Sequence, residues 1–340
     1  MIITLTPNPS IDATLSVDQV VRGEVVRAHA ASREAGGKGI NVSHAIAKAG
    51  GETLALAPCG ENDPFLQAVD RINVPFVPIA VDGFVRTNTA LTEADGTTTK
   101  INELGPELSG GRRVDVEKQL AEHAHKADAA VLAGSLPPGA PVDWYADLTA
   151  QLRDTVPLIA VDTSDAPLRA LGERLESAAP TIMKPNAFEL AQLTDGDGRA
   201  LEADAARGDY DSILRAAREL VDRGVAEVLV TLGGAGACLV TADGAWAAAA
   251  PKVTVRSTVG AGDSSLAGYV MARVADKSFA ECLQQAVAYG SAAASLPGTG
   301  IPSPADVDCA RVEVVALDTP RLIPSRVSGR THYERTTDYA

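Results

Sequence analysis

Hydrophobic and polar positions along this chain follow two alternating periods, and the alternation predicts layers of helix and sheet. Short apolar runs at Asp128 to Leu132, Leu158 to Val161 and Val225 to Thr231 read as strands buried on both faces. The segments between them carry helical spacing. In Asp211 to Arg223, Ile213, Ala217, Leu220 and Val221 share one face, and Gly224 stands where a helix stop belongs. Strand and helix in turn predict an α/β fold with a doubly wound, mostly parallel sheet. Ligands of such sheets gather at the carboxyl ends of the strands, and most glycine motifs of this chain follow strands.

One region departs from the alternation. Val85 to Glu103 has no helical period and reads as a hairpin around Ala94-Asp95-Gly96, and Thr14 to Ala30 also reads as extended. These pieces predict a small sheet outside the core, with strands from about 12–30 and 84–104. A three-residue loop with Gly96 left-handed sets Thr92 opposite Thr98, Ala90 opposite Lys100 and Asn88 opposite Asn102, which puts Arg86, Asn88, Lys100 and Asn102 on one face. A two-residue Asp95-Gly96 loop would instead split Arg86 from Lys100, so the face depends on the turn. With the first register the hairpin is a basic, polar lid over a site; the plain alternative is a solvated hairpin. The expected organisation is one domain over 1–324 followed by a polar, mobile tail at 325–340.

Composition narrows the partners. With 340 residues, 46% of them hydrophobic, the chain can bury a full core. Thirty Lys and Arg against 44 Asp and Glu leave a net charge of −14, which excludes nucleic acid as an expected partner. A cluster of basic residues in so acidic a chain is therefore informative. No segment approaches membrane-spanning length, so a cytoplasmic protein with no membrane partner is expected. Cys59, Cys238, Cys282 and Cys309 are widely spaced, which argues against a zinc site or a disulfide framework.

Candidate chemistry centres on Ser257-Thr258-Val259-Gly260-Ala261-Gly262-Asp263, which opens a helix marked by Leu266, Val270 and Val274. Amide N–H groups of such a turn, together with the helix dipole, bind anions. Asp263 beside a bound phosphate could accept a hydroxyl proton, as phosphoryl transfer to an alcohol requires, although an Asp here can also merely cap the helix. Ala35-Gly36-Gly37-Lys38-Gly39-Ile40-Asn41 opens a second helix. Its glycines allow close approach of a ligand, Lys38 offers a point charge, and Asn41 can bond hydroxyls in both directions. It lacks the Ser or Thr of a Walker A loop. Asp12 in Pro7 to Asp12 and Ser135 in Gly134 to Gly139 also occupy strand ends. In Lys184-Pro185-Asn186-Ala187-Phe188-Glu189, Asn186 and Glu189 are oxygen ligands suited to Mg²⁺, or a helix cap with an acidic first turn. Thr231 to Gly236 is a further glycine-rich strand end, fit for a nucleotide.

In their order these motifs resemble the ribokinase-like (PfkB) carbohydrate kinases, over almost the whole chain to about Pro304. Gly36 to Val42, Val85-Arg86-Thr87-Asn88 and Thr99-Lys100-Ile101-Asn102-Glu103 resemble the sugar-phosphate branch, most of all the 1-phosphofructokinases. The resemblance implies ATP-dependent phosphorylation of D-fructose 1-phosphate at O6, with fructose 6-phosphate or tagatose 6-phosphate as alternative acceptors. It implies Asp263 as catalytic base, with Gly260, Ala261 and Gly262 as the anion hole. Asp12, Gly37, Lys38, Asn41, Arg86 and Ser135 are implied at the sugar phosphate, joined by Lys100, Arg27 and Asp263 itself. Nucleotide contacts are implied for Lys184, Asn186, Thr231, Gly233, Gly236, Thr258, Gly260 and Gly262, and Asn186 and Glu189 are implied to organise Mg²⁺ through water. ATP, Mg²⁺ and a monovalent cation such as K⁺ are the expected ligands, and a homodimer through the lid is an expected assembly. A sugar-phosphate sensor without turnover and a nicotinamide oxidoreductase are the rival classes; the retained Asp263 argues against the first, the missing early Gly-x-Gly-x-x-Gly unit against the second. Asp165, where many relatives carry glycine, and the long polar stretch 196–210 depart from the family pattern.

Overall fold

The computed structural model describes residues 1–317; the expected tail at 325–340 lies outside them. Among the described residues the strands are β1 (Ile2–Leu5), β2 (Ser10–Ser16), β3 (Ala30–Gly36), β4 (Thr53–Cys59), β5 (Phe76–Ala80), β6 (Arg86–Thr92), β7 (Thr98–Asn102), β8 (Ala129–Ala133), β9 (Leu158–Asp162), β10 (Ile182–Met183), β11 (Glu227–Thr231), β12 (Ala237–Thr241), β13 (Ala245–Ala248) and β14 (Val314–Leu317). Ten of them form one sheet in the order β14-β13-β12-β11-β10-β9-β8-β1-β4-β5, and four form another in the order β3-β2-β6-β7.

The large sheet is parallel from β5 through β11 and antiparallel from β12 to β14. Its central strands are buried throughout, as β1 (IITL) and β8 (AAVLA) illustrate, because helices cover both faces. On one face Leu132, Trp144, Leu148, Leu190, Ile213 and Leu220 belong to one apolar cluster; on the other Val42, Ile46, Leu266, Val270 and Leu283 belong to a second. Burial of each Leu or Ile contributes about 1.5–3 kcal/mol, so the two layers fix the helices against the strands. Chain order runs outward from β1 to β4 and β5, then crosses to β8 and continues to β9, β10 and β11. The direction reverses between β1 and β8, which opens a crevice at the carboxyl ends of these strands.

The hairpin register matches the three-residue loop. Asn88 pairs with Asn102, Ala90 with Lys100 and Thr92 with Thr98, with Gly96 at φ 91° and the Gly96 N–H donating to the Glu93 carbonyl. β2 joins this hairpin in parallel, placing Ser10 beside Arg86 and Asp12 beside Asn88. The even-numbered residues of β2, β6 and β7 therefore share a polar face. The expectation that Thr14 to Ala30 is extended needs correcting. β2 and β3 pair only from Ser16 opposite Ala30 to Ser10 opposite Gly36, and 17–29 forms their connection, with a left-handed turn at Gly23. Asp165 occupies left-handed backbone, φ 57°, which explains the departure from glycine: Asp is among the few side chains that tolerate it. The polar stretch 196–210 contains the helix Gly198–Ala206, capped by Asp197.

Candidate active site

Two helix N-termini meet at the crevice. The helix Lys38–Lys48 starts at Gly37, directly after β3, and the helix Ala261–Val274 starts at Gly260, whose φ of 78° is left-handed. Their first turns are joined where Asn41 Nδ2 donates to Asp263 Oδ2 at 2.8 Å. At its far end the second helix is pinned to β11 by a bidentate Arg273–Glu227 pair at 2.8–3.0 Å and by Tyr269, whose hydroxyl donates to Glu227 Oε2 at 2.6 Å. Helix position, and with it Asp263, is thus fixed from both ends.

Asp263 is 8% exposed, and its burial, reinforced by repulsion from Asp162, pushes its carboxyl up to about 6 against the opposing pull of Lys38, Lys184 and Asn41. Asn41 occupies Oδ2, leaving Oδ1 to take a proton. Among the described residues the amides of Gly260, Gly262 and Asp263 make no hydrogen bond, whereas the Ala261 N–H closes weakly on the Thr258 carbonyl at 3.4 Å. Gly260 and Gly262 therefore fit an anion hole better than Ala261 does, and Thr258 is an exposed member of the loop.

Behind this turn lies a charge cluster that local sequence signals do not mark. Asp162, 1% exposed at the end of β9, accepts a hydrogen bond from Lys38 Nζ at 2.7 Å. Its other oxygen lies 3.0 Å from Lys184 Nζ, in ionic contact but outside hydrogen-bonding geometry. Burial opposes the Asp162 charge, but Lys184 and Lys38 outweigh it and hold the carboxyl below its ordinary value. Burial likewise works against the Lys38 ammonium, yet Asp162, Asp263 and Glu189 together raise it above the ordinary lysine range. Lys184 reaches the Gly260–Gly262 turn: its Nζ lies 3.4 Å from where a Cβ on Gly262 would stand.

Asn186 and Glu189 form a reciprocal capping box on the helix Ala187–Leu193, Asn186 Oδ1 accepting from the Glu189 N–H at 2.9 Å and Glu189 Oε2 from the Asn186 N–H at 2.8 Å. Glu189 is buried, which raises its carboxyl, and one of its oxygens is not engaged in the box. Hard oxygen donors of this kind, beside a position for phosphates, fit a divalent cation held largely by water and nucleotide. Among the described residues no group of three or more His, Cys, Asp or Glu is placed to hold a metal by itself.

On the small sheet, Asp12 Oδ1 accepts from Asn88 Nδ2 at 3.0 Å and from Ser10 Oγ at 2.8 Å. Asn88 Oδ1 and Arg86 Nε are buried without a partner among the described residues. Arg86 donates only at 3.5 Å, to the Glu103 carbonyl; burial lowers its pKa and Asp12 partly offsets this. Orphaned polar atoms here fit a polar ligand. Ser135 is exposed at a strand end and accepts a long 3.4 Å bond from Asn8. Lys100 and Arg27 are exposed and make no hydrogen bond or ion pair among the described residues, so the structure does not draw them into the cluster.

Several glycines prove to answer to packing. A Cβ on Gly36 would lie 2.3 Å from Asp12 Oδ2, and those on Gly37 and Gly39 would lie 2.6 and 2.5 Å from the Thr6 side chain. These residues let the helix start approach β1 and Asp12, a packing demand that adds to any ligand's. Gly236 is buried where a Cβ would overlap the Ala248 carbonyl at 1.9 Å, so its lack of a side chain serves β13. Gly233, by contrast, faces open space beside Thr231, which bridges to Asn186. A cavity of about 360 Å³ lined by Val253, Thr254, Ala288, Ser291, Ala292 and Ser295 lies between the segment leading into the anion hole and the helix Phe279–Ala294. It is built from segments far apart in the chain, and no motif announces it.

Residues 6–306 match the model of the pfkB family carbohydrate kinases. The chain is 36% identical to a 1-phosphofructokinase of Xanthomonas campestris over 84% of this chain and 89% of the relative. It is 35% identical to a 1-phosphofructokinase of Haloferax volcanii over 94% of this chain and all of the relative. Among solved structures, phosphofructokinase-2 of Escherichia coli in complex with potassium superposes with a TM-score of 0.81 at 30% identity, covering 90% of this chain and 96% of that one. Ribokinase of Arabidopsis thaliana complexed with ribose and ATP, at 21% identity and a TM-score of 0.70 over 90% of this chain and 96% of that one, shares the fold. By sequence and by architecture, the chain belongs to the pfkB family of carbohydrate kinases.

Proposed function

We infer that this protein is a cytoplasmic ATP-dependent fructose-phosphate kinase that converts D-fructose 1-phosphate to D-fructose 1,6-bisphosphate and ADP. The observation that carries the reading is Asp263, buried at a helix N-terminus between unpaired amides and the Asn41 amide. Oδ1 of Asp263 takes the proton of the acceptor's 6-hydroxyl; the hydroxyl oxygen bonds to the γ-phosphorus as the bond from that phosphorus to the β-phosphate oxygen breaks, and ADP leaves. The Gly260 and Gly262 amides and Lys184 hold the charge of the transferred group. Lys38, Arg86, Asn88 and Asp12 bind and orient the sugar phosphate, and the small sheet closes over it to exclude water. Mg²⁺, when bound near Asn186 and Glu189 through water, neutralises phosphate charge.

The cavity at Val253, Ala288 and Ser291 is the candidate seat of the adenosine end, with Thr231 and Gly233 nearer the phosphates. A monovalent cation belongs to this reading on the strength of the potassium complex of the Escherichia coli relative. Exposed Ile101 on the small sheet and Leu104 just beyond it support a homodimer through the lid, which sedimentation would test. The function itself is tested by ATP consumption with fructose 1-phosphate, fructose 6-phosphate, tagatose 6-phosphate and fructose. The highest kcat/KM is expected for fructose 1-phosphate; preference for a 6-phosphate would replace the acceptor, and preference for fructose would remove the phosphate clamp.

A further inference from the structure

We propose that Asp162 is a positioning residue: as the shared counter-ion of Lys38 and Lys184, it couples binding of the acceptor to binding of the nucleotide. The inference rests on the kinase reading, which puts Lys38 on the acceptor side and Lys184 on the phosphoryl side. Its geometry is independent of any ligand. One carboxylate, almost wholly buried at the end of a central strand, contacts Lys38 at 2.7 Å and Lys184 at 3.0 Å. Its main chain is fixed as well, the Asp162 carbonyl accepting from the Gly134 N–H at 2.9 Å.

The two ammoniums differ in a way that gives the carboxylate a task. Lys184 is 5% exposed and packed beside Gly262, whereas Lys38 is 34% exposed and opens toward the crevice. A lysine is a point charge on a flexible stem, and fixing its end before a ligand arrives lowers the ordering cost of binding. Each ammonium has three donors, so the contact with Asp162 leaves the others for phosphate oxygens. A phosphate drawing on Lys38 loosens its hold on Asp162, and the carboxylate then answers Lys184 alone. Occupancy of one side is thereby registered on the other, through an element both sites bias. A merely structural ion pair would hold the fold without linking the two affinities.

Asp162→Asn keeps the shape and one oxygen acceptor but removes the charge. The test measures fructose 1-phosphate affinity with and without a non-hydrolysable ATP analogue and Mg²⁺, alongside kcat, both KM values and thermal stability. Wild-type protein is expected to bind the acceptor about fivefold or more tightly when the analogue is present. In Asp162→Asn that ratio should fall to near one, with both KM values raised. A folded variant that keeps the wild-type ratio and kinetics overturns the proposal, as does a ratio of one in the wild type. Should Asp162→Asn fail to fold, Lys38→Met, altered at a partly exposed head group, serves instead: it should raise KM for ATP as well as for the acceptor, and an effect on the acceptor alone overturns the coupling. Wild-type protein that phosphorylates none of the four acceptors would remove the kinase reading itself, and the proposal with it; transfer by the wild type with an indistinguishable Asp162→Asn removes only the proposal.

Discussion

The carboxyl edge of the large sheet and the polar face of the small sheet hold charges in opposite ways. At the edge the groups answer one another: Asp162 faces Lys38 and Lys184, Asn41 bonds Asp263, and Asn186 and Glu189 close a capping box. On the small sheet Asn88 spends its amide on Asp12 while its oxygen and Arg86 Nε find no partner among the described residues. On the proposed reading, the first region is preorganised for the reaction and the second is completed by the acceptor. Such a division suits a kinase, because chemistry needs fixed dipoles while a lid must open.

The largest effect is expected at Asp263. Asp263→Asn is expected to lower kcat at least about a hundredfold with little change in nucleotide affinity. Because the native carboxyl is raised from 3.8 to about 6, its ionised form costs stability, fully so above about pH 6, and the native state recovers stability as pH falls through that window. The same variant should therefore raise Tm at pH 7, and a lowered Tm would contradict the assigned burial cost. Arg86→Ala comes next. Loss of one charged hydrogen-bonding partner typically costs about 1.5–3 kcal/mol, so kcat/KM for fructose 1-phosphate should fall roughly ten- to more than a hundredfold, while the poor rate on fructose hardly moves.

How much of this was legible in the sequence differs between the regions for a physical reason. The hairpin register followed from Gly96, because a left-handed glycine in a three-residue loop dictates the pairing of every residue beyond it. The Asp263 helix start was legible because its apolar period and its glycines are local. Asp162 was not, since it ends an ordinary apolar strand and meets Lys38 across a separation of 124 residues. Gly36, Gly37 and Gly236 show the limit of a glycine signal: it marks close approach without saying whether ligand or protein approaches, and here protein does. The stretch 17–29 lacked helical period and so read as strand, although among the described residues the β2–β3 ladder stops at Ser16 and Ala30 and only isolated hydrogen bonds, such as Val17 N–H to the Thr92 carbonyl, tie it to the sheet.

Smaller effects sharpen the boundary between fixed and completed parts. With fructose as acceptor, which has no group titrating nearby, and saturating MgATP, activity should rise with pH through about 6 as Asp263 ionises; full activity at pH 4.5 would contradict the assignment. Glu189→Gln preserves the capping-box acceptor and removes only the charge. It should raise the Mg²⁺ concentration for half-maximal rate by about tenfold with Tm nearly unchanged, and an unchanged titration would leave Glu189 a helix-start residue. Ser291→Trp, filling the cavity, should weaken ATP alone, the smallest change of the series; a change in acceptor KM would misplace the adenosine end.

The division between chemistry and grip is tested most directly by calorimetric titration of fructose 1-phosphate into Asp263→Asn and Arg86→Ala, each with the ATP analogue bound. We expect Asp263→Asn, inactive, to retain near wild-type affinity, and Arg86→Ala to bind at least about tenfold more weakly. Loss of binding in Asp263→Asn together with unchanged binding in Arg86→Ala would contradict it.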